Sequence, residues 1–297
     1  MTPDFLCIIR AFKVQSRAVT RNTLAALCFL CDFLIMNAED LQFLQRWFSS
    51  YCSRFIMPVA EDQRNILLKQ EHTHEVRRNA ARIAHDLRLG AHAIARAEAT
   101  ALFHDVGRFP QYEQYKTFDD SLSTNHAALG ARVLRRNKVL ATLDKHDRDI
   151  IIRSVALHNV FSLPVKLDDE TRLYAQLVRD ADKLDILRVF IEYFEQDAQS
   201  RSGAVALGLP DTPGYSQKIV VCLRKGQMAR KTMLKNQNDF KLLLITWIFD
   251  FNFTSSFHML VERGLIAKLS ETLPKTAEVA QAVDCIRDYA DNKLQNR

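Results

Sequence analysis

From about residue 39 onward, apolar side chains recur at the interval of α-helices. Leu41, Leu44, Trp47, Phe48, Tyr51 and Phe55 fall three or four residues apart, which stacks them on one helical face. Pro58 breaks that run. A second long helix is predicted over about 62–88, with Val76, Ala80, Ile83, Ala84 and Leu87 on its apolar side and Leu89-Gly90 as its stop. A third covers about 91–106 and stops at Gly107, with Pro110 beyond. The aromatic and polar stretch from Arg108 to Asn125 reads as a long loop or a short helix. Further helices are predicted near 126–137, 147–158, 170–196, 237–263 and 276–294. Segment 200–235 breaks the pattern. Gly203, Gly208, Pro210, Pro213 and Gly214 precede Lys218-Ile-Val-Val-Cys-Leu, which reads as an excursion loop with a short strand, or a hinge.

Composition supports this all-α reading. The 297 residues include only 8 glycines and 7 prolines, too few for the frequent turns of an all-β protein. Apolar residues make up 47% and charged residues 26%, as in a globular chain with a sizeable core rather than a disordered one. The formal charge of +6 suits a protein that handles small anions and weakly permits nucleic-acid contact, though no stable nucleic-acid complex is expected. The cysteines are scattered. Cys28 and Cys31 have CxxC spacing but lie in an apolar run without a second ligand pair, so they read as helix interior in a protein of the reducing cytoplasm.

The first 35 residues stand apart. Lys13, Arg17 and Arg21 precede an apolar stretch from Leu24 to Met36 that Asp32 interrupts. The stretch is short of the roughly 20 residues that span a bilayer. Three readings remain: a loosely packed extension, a weak membrane anchor, or sequence upstream of a start at Met36. The first and third are favoured, because Asn37-Ala38-Glu39-Asp40 reads as the cap and acidic first turn of a new helix. No membrane role is expected. The predicted organisation is an extension at 1–35, a helical catalytic domain at 36–199 and a helical C-terminal extension at 200–297.

Six residues carry the candidate chemistry. His72, His104, Asp105, His126, His158 and Asp182 each lie on or at the end of a predicted helix, on its apolar side. His72 continues into the face of Val76, Ala80 and Ile83. His104 continues the face of Ile94, Ala97 and Ala101. His158 follows Ile151 and Val155, and Asp182 follows Val178. Buried carboxylates need a charge or a metal, and mixed imidazole and carboxylate donors suit divalent cations. The remaining histidines, His74, His85, His92, His146 and His258, lie among charged or irregular neighbours and receive no role.

This ordered set resembles the HD-domain superfamily of metal-dependent phosphohydrolases. The resemblance rests on Glu71-His72-Thr73, on Ala101-Leu102-Phe103-His104-Asp105-Val106-Gly107 and on Arg179-Asp180-Ala181-Asp182-Lys183-Leu184-Asp185. His72, His104, Asp105 and Asp182 match the His…His-Asp…Asp signature, and His126 and His158 look like the extra ligands of two-metal members. The similarity covers about residues 60–195. It implies an HD-domain-like helical bundle holding one or two ions of manganese, iron, magnesium or nickel. Asp105 would bridge, with His72, His104 and Asp182 on one ion and His126 and His158 on the other. Lys183 and Arg108 would receive an anionic substrate, and Asp185 would orient a ligand or act as a base. The expected reaction is hydrolysis of a phosphoester or phosphoanhydride in a nucleotide or another small phosphorylated substrate.

Two departures narrow this. Gly107-Arg108-Phe109-Pro110-Gln111-Tyr112 replaces the Gly-Tyr-Pro motif of cyclic-dinucleotide phosphodiesterases. Arg108 stands where alarmone hydrolases carry acidic residues. A di-iron oxygenase also exists on this scaffold, so that reading and a non-catalytic nucleotide sensor stay open. Phe109, Tyr112, Tyr115 and Phe118 are expected to pack a loop, with stacking on a nucleobase as the alternative. The apolar stretch around Trp247 is expected to pack on the bundle, closing its pocket or forming a homodimer contact. Asp239 and Asp250 within it read as a cap and a local hydrogen-bonding residue.

Overall fold

A computed structural model describes residues 36–197 and 207–295. The expectations for residues 1–35, including Cys28 and Cys31, lie outside the described residues. Within them the chain is helical and has no strand.

Helix α1 (Ala38–Cys52) starts as its sequence dictates: the Asn37 side chain accepts from the amides of Glu39 and Asp40, and the Asp40 carboxylate accepts from the Asn37 amide. After Pro58 comes α2 (Ala60–Asp86), then α3 (Ala91–Phe103) and α4 (Arg108–Tyr115). The chain then passes through a single 3-10 turn at Asp120–Leu122 into α5 (His126–Asn137), α6 (Lys145–Leu157) and α7 (Asp169–Glu195). Asn125, Asp144 and Asp168 cap α5, α6 and α7 with their side-chain oxygens. The left-handed residue at the end of α2 is Arg88, not the predicted Gly90, which instead opens α3.

The C-terminal part corrects the sequence reading in two places. Residues 218–223, read as a short strand in an excursion loop or as a hinge, lie in helix α8 (Gln217–Arg224). Ile219, Val220, Cys222 and Leu223 are buried while Val221 faces solvent, which is a helical and not an alternating pattern. The single helix expected over 237–263 is broken. It consists of α9 (Gln237–Thr246), a 3-10 turn at Trp247–Asp250 and α10 (Thr254–Glu262). Two more helices follow, α11 (Leu265–Glu271) and α12 (Ala277–Gln295).

Helix α3 separates two apolar cores. Ala97 and Ala101 face one, whose members come from α2, α7 and the C-terminal helices; Ala99, Leu102 and Phe103 face the other, built from α1, α4, α5 and α6. The first core runs without a break from Val76 and Leu184 to Leu244, Met259 and Ile286. Small side chains on α3 let α2 and α7 approach it closely, which places the end of α3 deep inside the bundle.

Candidate metal centre

Five helices bring the six side chains to one place. His72 comes from the middle of α2, His104 and Asp105 from the turn after α3, and His126 from the first position of α5. His158 terminates α6, and Asp182 comes from the middle of α7. All but Asp182 are buried.

The donors form two trios whose ligand atoms lie within 4.8 Å of one another. In the first, His72 Nε2 is 3.0 Å from Asp182 Oδ1 and 3.3 Å from His104 Nε2. In the second, His126 Nε2 is 3.0 Å from His158 Nε2, and these nitrogens stand 3.4 and 3.7 Å from Asp105 Oδ1. The other oxygen of Asp105, Oδ2, is 3.6 Å from His72 Nε2 and 3.7 Å from His104 Nε2. One carboxylate thus turns an oxygen to each trio.

The back of each imidazole is tied down. His104 Nδ1 donates to the Ala101 carbonyl at 2.7 Å, and His158 Nδ1 to the Val155 carbonyl at 2.8 Å. His72 Nδ1 donates to Asp185 Oδ2 at 2.7 Å, and His126 Nδ1 to Asp120 at 2.7 Å. Carbonyls and carboxylates only accept, so each Nδ1 carries a proton, and each Nε2 presents a lone pair to the centre when its ring is neutral. Four converging lone pairs with two carboxylates repel one another unless a cation lies among them. The donor set fits a divalent metal.

Charge states follow from the same packing. Burial and the Arg108 guanidinium push His126 down to about 3, so it is neutral at physiological pH and ready to ligate. Burial and Lys69 also push His72 down, but hydrogen bonds to Asp182 and Asp185 outweigh them and its pKa is raised. Burial would raise the pKa of Asp105; Lys69 and His104 hold it well below the usual carboxylate range. Asp182 is likewise held low, against its burial, by His104 and His72.

Residues 70–187 match the family model of the HD domain. That segment is similar to an HD domain. No curated protein and no solved structure matches it. The HD-domain match runs from within α2 to within α7 and contains all six donors. HD domains bind divalent metals and are found in metal-dependent hydrolases.

The two trios form one end of a cavity of about 430 Å³. Lys69, three residues before His72 on the same face of α2, places Nζ 2.8 Å from Asp105 Oδ2; the sequence reading passed over it although the spacing was available. Arg108 is not free: it donates to Gln111, to the Phe118 carbonyl and, at 3.0 Å, to Asp120 Oδ1. Lys183 is buried and shares Asp250 with Arg179, each nitrogen 2.6 Å from Asp250 Oδ2. Asp250 is therefore a long-range ion-pair partner and not a locally bonded residue. Asp239 is not a cap either. Asn236 caps α9, while Asp239 accepts from Ser216 Oγ at 2.7 Å and the Lys235 amide at 2.9 Å.

Asp120, Asn159 and Arg179 also line the cavity and were given no role in the sequence reading. Of the loop aromatics, Phe109 and Tyr112 belong to the core, Tyr115 is exposed and Phe118 lines the cavity beneath Lys69. The histidines without an assigned role stay outside both trios: His74 packs edge-on against Phe48, and His92 and His146 pair with Asp147 and Glu170. Among the described residues no helix is long and apolar enough to cross a membrane.

Proposed function

We propose that the protein is a metal-dependent phosphohydrolase. It cleaves a phosphoester or phosphoanhydride bond of a nucleotide or another small phosphate ester with a metal-activated water. The observation that carries this reading is the set of four imidazoles, each anchored through Nδ1, whose Nε2 atoms face the two oxygens of Asp105 at the end of a cationic cavity. His72, His104 and Asp182 would hold one ion and His126 and His158 the other, with Asp105 between them. A bound divalent ion supplies hydroxide near neutral pH and polarises a phosphoryl oxygen.

The chain's own groups do the rest. Lys69, Arg108, Arg179, Lys183 and Lys231 line the cavity against four carboxylates, Asp105, Asp120, Asp182 and Asp250. Two divalent ions added to this lining make it strongly positive, which draws in a phosphate and disfavours a neutral substrate. Arg108 and Lys183 already have carboxylate partners, so they bring a fixed charge and not a free side chain. Asp185 orients His72 and is itself held by Arg188 at 2.7 Å.

The test is chelation followed by reconstitution with single metals and a screen for phosphate release from phosphorylated metabolites. Phosphate release is expected to vanish on chelation and return with metal. Asp105→Ala is expected to lose activity by on the order of a thousandfold while its circular dichroism is unchanged. Turnover that consumes oxygen without releasing phosphate would select the di-iron oxygenase reading. Tight nucleotide binding without product would select the sensor. Either result overturns the proposal.

A further inference from the structure

We infer that the substrate's organic group is an apolar chain or ring system, bound in a carbon-lined chamber that continues from the metal centre. This rests on the phosphohydrolase reading and names the class of ester that the same site takes.

The chamber begins on α7. Asp182, Ile186, Val189 and Phe190 follow at helical spacing and all line the cavity. At 1.5 Å per residue the stripe extends about 12 Å beyond Asp182 along the helix. Phe240, Leu243 and Trp247 form the facing wall at the same spacing on α9 and the turn after it. Leu207, Met228 and Leu234 close the space between them. Leu207, Met228, Leu234, Ile186, Val189 and Trp247 are only half-buried although they line an interior space, so their uncovered surface is available to a ligand.

Charge is confined to the other end. Lys69 and Arg108 pair with Asp105 and Asp120, Arg179 and Lys183 with Asp250, and Lys231 with Asp119, the neighbour of Asp120. Along α7 and α9, the side chains lining the chamber from Ile186 onward carry no charge. A nucleoside seated there would desolvate ribose hydroxyls and base edges without matching side chains, and each unpaired group weakens binding roughly tenfold. An alkyl, terpenoid or aromatic group loses nothing and displaces water from apolar surface. Phosphate at the charged end and hydrocarbon at the other fill both halves of one cavity.

The test uses non-hydrolysable ligands, so that binding is read apart from turnover. Ethyl-, butyl-, hexyl- and octylphosphonate are titrated by calorimetry into the full chain loaded with manganese. Kd is expected to fall about fourfold per added methylene until the chamber is full. Val189→Asp, which puts a carboxylate two turns beyond Asp182, is expected to flatten the series; its melting curve reports whether it folds, and the wild-type series stands without it. Equal Kd values across the wild-type series, or a nucleoside phosphonate that binds more tightly than octylphosphonate, overturn the inference. Phosphate release from the matching alkyl phosphates is measured separately. Chain-length-dependent binding without cleavage keeps the chamber and ends the hydrolase reading. Cleavage with a flat binding series ends the chamber assignment alone.

Discussion

The two trios use similar donors, yet what stands behind them differs. Behind the first lies Asp185, fixed by Arg188, and a second carboxylate, Asp182, is itself a donor. His72 therefore sits between two negative groups and holds a proton more readily than a free imidazole. Behind the second lies Asp120, but Arg108 stands beside both Asp120 and Asp105, and His126 is pushed down to about 3. The first trio makes a cation compete with a proton on His72. In the second, His126 carries no proton at neutral pH. Equal ligand counts thus conceal unequal sites.

Removing one imidazole at a time tests this division most severely. His72→Ala is expected to empty the first trio and keep an ion in the second, and His126→Ala the reverse, with phosphate release lost in both. Metal analysis of the two purified variants checks this; loss of both ions from each would mean a single indivisible centre. A smaller effect is expected one shell outward. Asp185→Asn leaves a hydrogen-bond acceptor behind His72 but removes its charge, and should weaken metal binding at the first trio by about 10–100-fold. Competition with a chromogenic chelator measures it, and equal weakening at both trios would erase the comparison.

The smallest effect is on pH dependence. In the metal-free protein the His72 pKa is raised, so acidification through that value protonates His72 and opposes metal binding. His126, lowered to about 3, stays unprotonated over the same range. As pH falls from neutral towards 5, the first trio should lose its ion before the second. Metal content of the His72→Ala and His126→Ala proteins against pH reads each trio alone. The reverse order would show that Arg108, not Asp185, dominates the field at the centre.

Much of the centre was legible because it is written in helices. Spacing put His72, His104, His158 and Asp182 on apolar faces, and apolar faces of packed helices meet. Asp120 was not legible, since it hangs from a 3-10 turn with no periodicity to place it. Asp250 escaped for a related reason: the chain leaves the helix at Trp247, so helical extrapolation carries residue 250 to the wrong side. Lys218 to Leu223 misled through β-branched composition, where tertiary burial of Ile219 and Leu223 decides for helix.

Gly107 was read as the stop of the third helix, but α3 ends at Phe103 and Gly107 opens α4. It has negative φ and ends nothing by being left-handed. A Cβ there would stand 2.2 Å from the His126 carbonyl and 2.6 Å from the Gly130 amide, so only glycine lets the turn bearing Asp105 press against the start of α5. Close approach of two backbones leaves no signal in a single sequence beyond the glycine itself.

Helix α7 is fastened on its other flank as firmly as at Asp182. Asp180, buried beside it, accepts from the amides of Asn252 and Phe253, from the Asn252 side chain and from Ser256 Oγ. Excising the fragment that matches the family, residues 70–187, would strip those donors away, orphan Arg179 and Lys183 from Asp250, and bare the apolar flank of α2. Anyone trimming this protein for crystals or binding studies should keep the chain through α12, because the shortest piece that looks complete by homology is not the shortest piece that can hold its shape.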